Sequence, residues 1–391
     1  MDALKNGFAR QFGRAPERYF SAPGRTEIGG NHTDHQRGRV LAAAVDLDTR
    51  AAVALNGSRT IRLLSEGYPL LEISLEELTP RPEERNTSAA LIRGVAAGLA
   101  ARGAALSGFD AYVISTVLPG SGLSSSAAFE VLLGTAMNAL FSVGLTPVEI
   151  AKVAQQAENE YFGKPCGLMD QTASSVGGCV AIDFADPAAP AVEPVDFDFS
   201  RCGHTLCIID TGAGHENLTH EYAAIPAELG RVCRWFGKTV LREVPEDEFY
   251  VNLPALRDAV GDRAVLRAMH VYDDNRLVEQ EVAALRRGDF PAFLRYVNQS
   301  GDSSQLRLQN VIPAGATEHQ EVALALALAR RLLGGEGACR IHGGGFAGTI
   351  QAFVPNGRMD AFRAGMEAVL GAGSCHVLSV RPFGGVELTE G

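Results

Sequence analysis

The sequence predicts an α+β fold in two lobes. At roughly 150 residues per domain, 391 residues make about two globular units. Strand-like runs dominate the early part of the chain and helical runs the later part. Blocks of one element type followed by another favour α+β lobes over a doubly wound sheet. Taken in order, residues 40–55, 60–64 and 70–75 are rich in β-formers and are broken by Asn56-Gly57-Ser58 and Gly67-Tyr68-Pro69, the pattern of antiparallel strands with tight turns. Residues 88–102 are dense in Ala and Leu at helical spacing, and 109–117 alternate as a strand. Thr146-Pro147-Val148-Glu149 combines an N-cap threonine, a proline at the first helical position and the glutamate of a capping box, so a helix begins there and runs to about Phe162. The Pro- and Ala-rich stretch 186–193 lies between strand-like runs at 179–184 and 205–210 and marks the lobe crossover, giving lobes at residues 1–195 and 196–391. Helices are expected at 217–236, 263–287, 291–297 and 317–333, and short strands at 338–342 and 349–354.

Composition narrows the class of function. Hydrophobic residues make up 46% and charged residues 21%, an ordinary globular balance. With 35 basic against 46 acidic residues the net charge is −11, the wrong sign for neutralising nucleic-acid phosphates or acidic membranes. The seven cysteines are odd in number, scattered and free of zinc or disulfide spacings, and read as reduced cytosolic thiols. No segment has a signal-peptide core or approaches the roughly 20 apolar residues of a membrane span, so a cytoplasmic location is expected. Nothing in the sequence calls for an obligatory protein partner.

Three motifs carry chemistry. Leu118-Pro119-Gly120-Ser121-Gly122-Leu123-Ser124-Ser125-Ser126-Ala127-Ala128 follows a strand and opens an apolar helix, a geometry that offers backbone N–H groups and a helix N-terminus to an anion. It lacks the Gly-Lys-Ser/Thr ending of a Walker loop, and its alternative reading is a glycine-serine turn capping a core helix. Ala22 to His35 packs Arg25, Glu27, Asn31, His32, Asp34 and His35 around a glycine pair, a density of donors and acceptors that suits a polyhydroxylated ligand. The alternatives there are a polar solvated loop or a metal held by His32, Asp34 and His35. Glu158 to Gln171 contains Asp170, an acid amid Gly167, Leu168, Met169 and Ala173, which either caps a helix starting at Gln171 or serves as a base in a cleft. Ile341 to Gly348 is a further glycine-rich loop between two strands.

Together these segments resemble the GHMP family of small-molecule kinases, and within it the galactokinase branch. The resemblance rests on Pro23-Gly24-Arg25 leading to His32-Thr33-Asp34, the Gly-Leu-Ser-Ser-Ser-Ala loop, Pro165-Cys166-Gly167-Leu168-Met169-Asp170-Gln171 and the late Gly343-Gly344-Gly345-Phe346 loop, in the family's order and spacing from about Phe20 onward. It implies a two-lobed fold with the active site in the cleft between lobes. It further implies ATP-dependent phosphorylation of the anomeric hydroxyl of galactose, with Mg²⁺ as the metal. By position, Asp170 matches the catalytic aspartate and Arg25 the arginine beside it. Gly120, Ser121, Gly122, Leu123, Ser124 and Ser125 match the loop on the ATP phosphates, and Ser126 and Glu158 the metal site. Asn31, His32, Thr33, Asp34, Gly167 and Tyr222 fall at or beside the family's sugar contacts.

The sugar motif departs from the family's Arg-x-Asn-x-Ile-Gly-Glu-His-x-Asp-Tyr: Glu27 replaces the Asn, Gly29 the Ile, Asn31 the Glu and His35 the Tyr. An Asn31 facing the C6 side would tolerate a modified or oxidised C6, while Glu27 returns a carboxylate to the same motif. The alternatives are therefore the same reaction on galacturonate or N-acetylgalactosamine, another GHMP kinase of the mevalonate or homoserine type, and a non-catalytic sugar- and ATP-binding regulator.

Overall fold

A computed structural model describes residues 1–117, 122–214, 216 and 218–389. A short helix α1 (Asp2–Phe12) precedes two long strands, β1 (Arg18–Gly29) and β2 (Arg39–Leu55), then β3 (Thr60–Ser65) and β4 (Leu71–Ser74). Helix α2 (Ser88–Ala100), β5 (Phe109–Ser115), α3 (Ser125–Leu140), α4 (Pro147–Gln156), α5 (Met169–Val176), β6 (Cys179–Asp183) and β7 (Ala191–Val195) follow. Strand β8 (His204–Asp210) leads into the helical stretch of α6 (Thr219–Trp235), α7 (Glu246–Val251), α8 (Leu253–Val260), α9 (Asp262–Arg286), α10 (Phe290–Ser303) and α11 (Glu321–Leu333). The chain closes with β9 (Ala338–Ile341), β10 (Thr349–Pro355), α12 (Met359–Leu370), β11 (Cys375–Leu378) and β12 (Val386–Leu388).

Two sheets organise these elements. The first runs β12-β1-β2-β5-β3-β4, with β6 on β2 and β7 on β6; the second runs β11-β8-β10-β9. Strand β2 is the hub, pairing β6 through Arg39–Ala43 and β5 through Thr49–Leu55 while β1 lies along its other edge. Apolar faces of α2, α3 and α4 cover the first sheet through Ile92, Val95, Leu99, Val131, Leu132, Met137 and Val153. Helices α11 and α12 cover the second through Val322, Leu326, Ala329, Phe362 and Met366.

The capping box is formed as expected: Glu149 N–H donates to Thr146 Oγ1, and Thr146 N–H to Glu149 Oε2 at 2.8 Å. The helix it starts changes pitch at Ala157 and ends in a π-helical turn, Ala157–Phe162. Strand pairing departs from the expected meander. Strand β3 pairs β4 antiparallel, but β5 inserts between β2 and β3 and runs parallel to β3. A buried acid ties this pairing: Asp110 on β5 faces Arg62 on β3 and accepts from its Nε and Nη2 at 2.7 and 2.8 Å, and Asn56 donates to the same carboxylate at 2.9 Å. The Pro- and Ala-rich stretch also has a different place. It turns the β6–β7 hairpin inside the first sheet, and the passage to the second sheet comes after Val195. The late strand β12 returns to the first sheet beside β1, so residues 196–391 do not belong wholly to the second.

Candidate functional site

The site begins with β1. Register shifts between Pro23 and Arg25 and between Glu27 and Gly29 interrupt its pairing with β2, and such bulges re-aim side chains. Arg25 and Glu27, two apart on the strand, both line a cavity of about 290 Å³. Its other walls come from the Gly30–His35 turn, Lys164–Gly167, Met169 and Asp170 of α5, and Gly343 and Gly344 after β9, so elements of both sheets enclose it. A larger cleft of about 570 Å³ lies between β6, β7 and α9, but its charges are spent in surface pairs such as Arg39–Asp183 and Arg286–Glu193. The smaller cavity is where polar groups converge.

Asp170 sits in the first turn of α5, yet its carboxylate does not cap the helix. Arg25 grips it through Nε to Oδ1 and Nη2 to Oδ2, both at 2.7 Å, and Ser124 Oγ donates to Oδ2. Arg25 also donates through Nη1 to the Gly122 carbonyl and through its backbone N–H to Leu123 O at 3.0 Å, which ties β1, the serine loop and α5 together. Burial works to raise the Asp170 carboxyl, but the Arg25 charge and the hydrogen bonds from Arg25 and Ser124 outweigh it and hold the group below its ordinary value. Burial likewise works to lower the Arg25 guanidinium, and Asp170 overrides it. Both are charged at neutral pH, and the Asp170 side chain keeps 29% exposure at the cavity wall.

The three serines diverge. Ser124 takes a left-handed backbone, φ 56°, just before α3, and turns its hydroxyl to Asp170. Ser125 lines a mainly apolar cleft of about 590 Å³ with Val117, Phe129, Leu71 and Tyr68, which has the size and character for a nucleoside. Ser126 Oγ lies 3.2 Å from Glu158 Oε1. Gly120 and Ser121 fall outside the described residues; Gly122 and Leu123 lie against His342 and Arg25.

Glu158 belongs to the π-helical turn and is buried. Gln171 Nε2 donates to its Oε2 at 2.7 Å, and Lys164 Nζ stands 3.3 Å from its Oε1. Gln171 also donates to buried Glu130 at 3.2 Å, leaving Gln171 Oε1 buried without a partner among the described residues. Burial first, and then the Glu158 charge, push the Glu130 carboxyl well above its usual range. A hydroxyl and a carboxylate at hydrogen-bond distance beside an orphaned amide oxygen are hard oxygen donors that fit Mg²⁺ shared with nucleotide phosphates.

The sugar-motif residues separate into two groups. His32, with φ 59°, places Nε2 at 2.9 Å from Gly344 O; it, Asp34 and Gly167 line the cavity. A Cβ on Gly167 would lie 2.5 Å from Asp34 Oδ2, so a larger residue there would displace the Asp34 carboxylate. His32, Asp34 and His35 show no metal cluster among the described residues. Thr33 is buried with Oγ1 at 2.8 and 2.5 Å from the carbonyls of Gly30 and Arg39, closing the turn away from the cavity. Tyr222 lies behind the late glycine loop: its hydroxyl donates to Gly345 O at 2.8 Å and its ring packs edge-on against Phe346.

Asn31 is the largest departure from expectation. It touches the cavity, but Nδ2 donates to Glu27 Oε1 at 2.9 Å and to Gly343 O at 2.7 Å. Its Oδ1 accepts from Asn310 at 2.8 Å and lies 3.4 Å from Ser304 Oγ. The protein itself uses the capacity that sequence reasoning assigned to a sugar. Two residues were missed: Arg340 of β9, whose Nη2 donates to Glu27 Oε1 at 3.0 Å, and His342, whose Nε2 accepts from Glu27 N–H at 3.3 Å. A buried arginine in the apolar run Ala338–Ile341 was the available signal for the first.

The serine loop, the clamped aspartate and the cavity thus meet at one place, and the comparisons identify the chain as a GHMP-type small-molecule kinase. Residues 90–178 match the GHMP kinases N terminal domain and residues 6–55 the galactokinase galactose-binding signature. The chain is 33% identical to a galactokinase of Streptomyces coelicolor over 93% of its own length and 92% of that protein's. It is 29% identical to a galactokinase of Glaesserella parasuis, over 91% and 90% of the two chains. The Lactococcus lactis galactokinase solved in complex with galactose superposes with a TM-score of 0.83 at 26% identity, covering 99% of both chains. A mevalonate kinase shares the fold, with a TM-score of 0.68 at 14% identity over 93% of this chain and 99% of that one. The chain belongs to the galactokinase family.

Proposed function

We propose that the protein transfers the γ-phosphoryl group of ATP to the anomeric hydroxyl of galactose, giving galactose 1-phosphate and ADP. The observation that carries this reading is the Asp170 carboxylate, held by Arg25 and Ser124 where the small cavity meets the serine loop. In this reading the C1 hydroxyl gives its proton to Asp170 as its oxygen bonds to phosphorus, and the bond from phosphorus to the bridging oxygen of ADP breaks. Arg25 fixes Asp170 and supplies positive charge beside the reacting oxygens. Phosphoryl transfer through a loose transition state asks mainly for position and charge, not for a strong base.

Gly120 to Ser125 would meet the phosphates, with the nucleoside in the apolar cleft beside Ser125 and Phe129. Ser126 and Glu158 would hold Mg²⁺, which supplies charge neutralisation on the nucleotide phosphates. His32, Asp34 and Gly167 would form the sugar wall, while Thr33 and Tyr222 shape it from behind. Residues 1–195 and 196–391 would act as the two lobes about this cavity. The seven cysteines, all free, support a cytoplasmic setting, and no helix among the described residues is long and apolar enough to cross a membrane.

A coupled ADP-release assay across galactose, N-acetylgalactosamine, galacturonate, other hexoses and mevalonate tests the reading. Galactose is expected to give the highest kcat/KM, with the product phosphorylated at C1. Galacturonate should be poor, because Glu27 and Asp34 already bring carboxyl groups to the cavity wall. Turnover of mevalonate without any hexose would overturn it.

A further inference from the structure

Glu27 and Asn31 face one another across one turn of chain, and together they invert what the sugar motif of the family carries at these two positions. The inversion has a structural logic. Arg340, fully buried, donates to Glu27 Oε1 and to the Ile28 carbonyl, so a carboxylate at residue 27 meets a fixed cation. Asn31 Nδ2 donates to the same Oε1, and Asn31 is itself pinned by Gly343, Asn310 and the Asp274 carboxylate that accepts from its backbone N–H at 2.7 Å. One oxygen of Glu27 is therefore anchored twice. The other, Oε2, has no hydrogen-bond partner among the described residues and is not fully buried, although Glu27 as a whole is only 5% exposed. Glu27 lines the cavity, so Oε2 is its one oxygen free to meet a ligand there.

The geometry points to Glu27 Oε2, and not the Asn31 side chain, as the group that accepts a hydrogen bond from a ring or C6 hydroxyl of the bound sugar, making Glu27 the specificity-determining residue of this pocket. The assignment rests on the sugar-kinase reading above and deepens it. A carboxylate with one oxygen fixed by a guanidinium and an amide holds the other in place before the ligand arrives, so little ordering accompanies binding. Its place on β1, two residues from Arg25, couples recognition of the far side of the sugar to the clamp on Asp170 through one rigid strand. Asn31 becomes the positioning residue that aims it.

The experiment is a cycle of variants against deoxy sugars, using full-length protein and steady-state ADP release. Wild type, Glu27→Gln and Glu27→Asp are each measured with galactose and with 2-, 3-, 4- and 6-deoxygalactose, with KM for ATP determined alongside. Glu27→Gln should lower kcat/KM for galactose by about 10- to 150-fold, the range for losing a charged acceptor opposite a hydroxyl. KM for ATP should stay within twofold, and the loss should vanish on the one deoxygalactose that lacks the contacted hydroxyl. Should Glu27→Gln leave Arg340 unpaired and fail to fold, Glu27→Asp keeps the charge and withdraws the oxygen, and the same hydroxyl-selective loss is expected. A loss equal on every deoxygalactose, or no loss on galactose, overturns the assignment. A wild-type enzyme that phosphorylates no hexose overturns the parent reading instead; one that prefers another hexose moves the cycle to that sugar's deoxy series.

Discussion

Asp170 serves two ends that pull against each other. Two donors from Arg25 and one from Ser124 aim the carboxylate, and they also depress its basicity. A group so held is a weak base and a well-placed acceptor, which suits a reaction in which the nucleophile needs alignment more than early deprotonation. Asp170→Asn keeps the shape but presents an NH₂ where the Arg25 fork expects an oxygen, and the amide takes no proton. It should reduce kcat by about 10²- to 10⁴-fold with ATP binding nearly unchanged; a variant keeping more than half the wild-type rate would remove Asp170 from the reaction. Glu158 is tested by metal titration. Glu158→Gln deletes the charge next to Ser126 and should raise the Mg²⁺ concentration for half-maximal rate, with Ser126→Ala doing so more weakly. Superimposable Mg²⁺ curves would assign Glu158 to a purely structural contact with Gln171.

At the scale of elements, the candidate site lies where regular structure is interrupted. Bulges flank Arg25 and Glu27, a π-helical turn carries Glu158, and non-glycine residues adopt positive φ at His32, Ser124 and Phe346, one in each of three site loops. Such conformations cost about 1–3 kcal/mol each and persist only where surrounding structure enforces them. Regular ends are held by ordinary means: Thr146→Ala should cost about 1 kcal/mol in thermal or urea unfolding without altering kcat, since the capping box lies at the far end of α4 from Glu158. These interruptions also mark where sequence reading stops. The serine loop, Asp170 and Glu158 were legible because their chemistry is written in short contiguous motifs. The partner of Glu27 was not, because Arg340 is 313 residues away. The insertion of β5 between β2 and β3 was hidden for the same reason: turn signals at Asn56 and Gly57 announce a reversal, while the Arg62–Asp110 pair that ties β5 to β3 spans 48 residues. The Arg25 segment was open to a solvated-loop reading because its polar residues point into a cavity that local pattern does not reveal.

In the whole molecule the cavity is backed by a polar wall joining both sheets, built from Glu27, Arg340, His342, Gln351, His270 and Asp274. The histidines in it are neutral. Glu27 N–H donates to His342 Nε2, which leaves the ring proton on Nδ1, directed at Thr349 Oγ1 at 3.0 Å. Burial, reinforced by the charges of Arg25 and Arg340, lowers His342 to about 3, and burial also lowers His270. Below the ordinary 6.5 the unfolded chain takes up protons that these folded sites refuse, so stability is full above that value and drains away as the pH falls toward the folded value. His342 alone would contribute a slope of about 1.4 kcal/mol per pH unit in that window. Melting temperature should therefore fall steadily from pH 6.5 to 5, and His342→Asn should flatten the decline; a constant melting temperature across that range would mean the ring is free to charge. The strand order also has a consequence in time. Strand β1, which carries Arg25 and Glu27, takes β2 on one edge early but receives β12, with Glu387 clasping Arg18, only after nearly all of these residues have left the ribosome. Throughout synthesis Tyr19–Ser21, the stretch of this strand that β12 will cover, has an unpaired edge, so the nascent chain is open to wrong partners just ahead of Arg25 and Glu27.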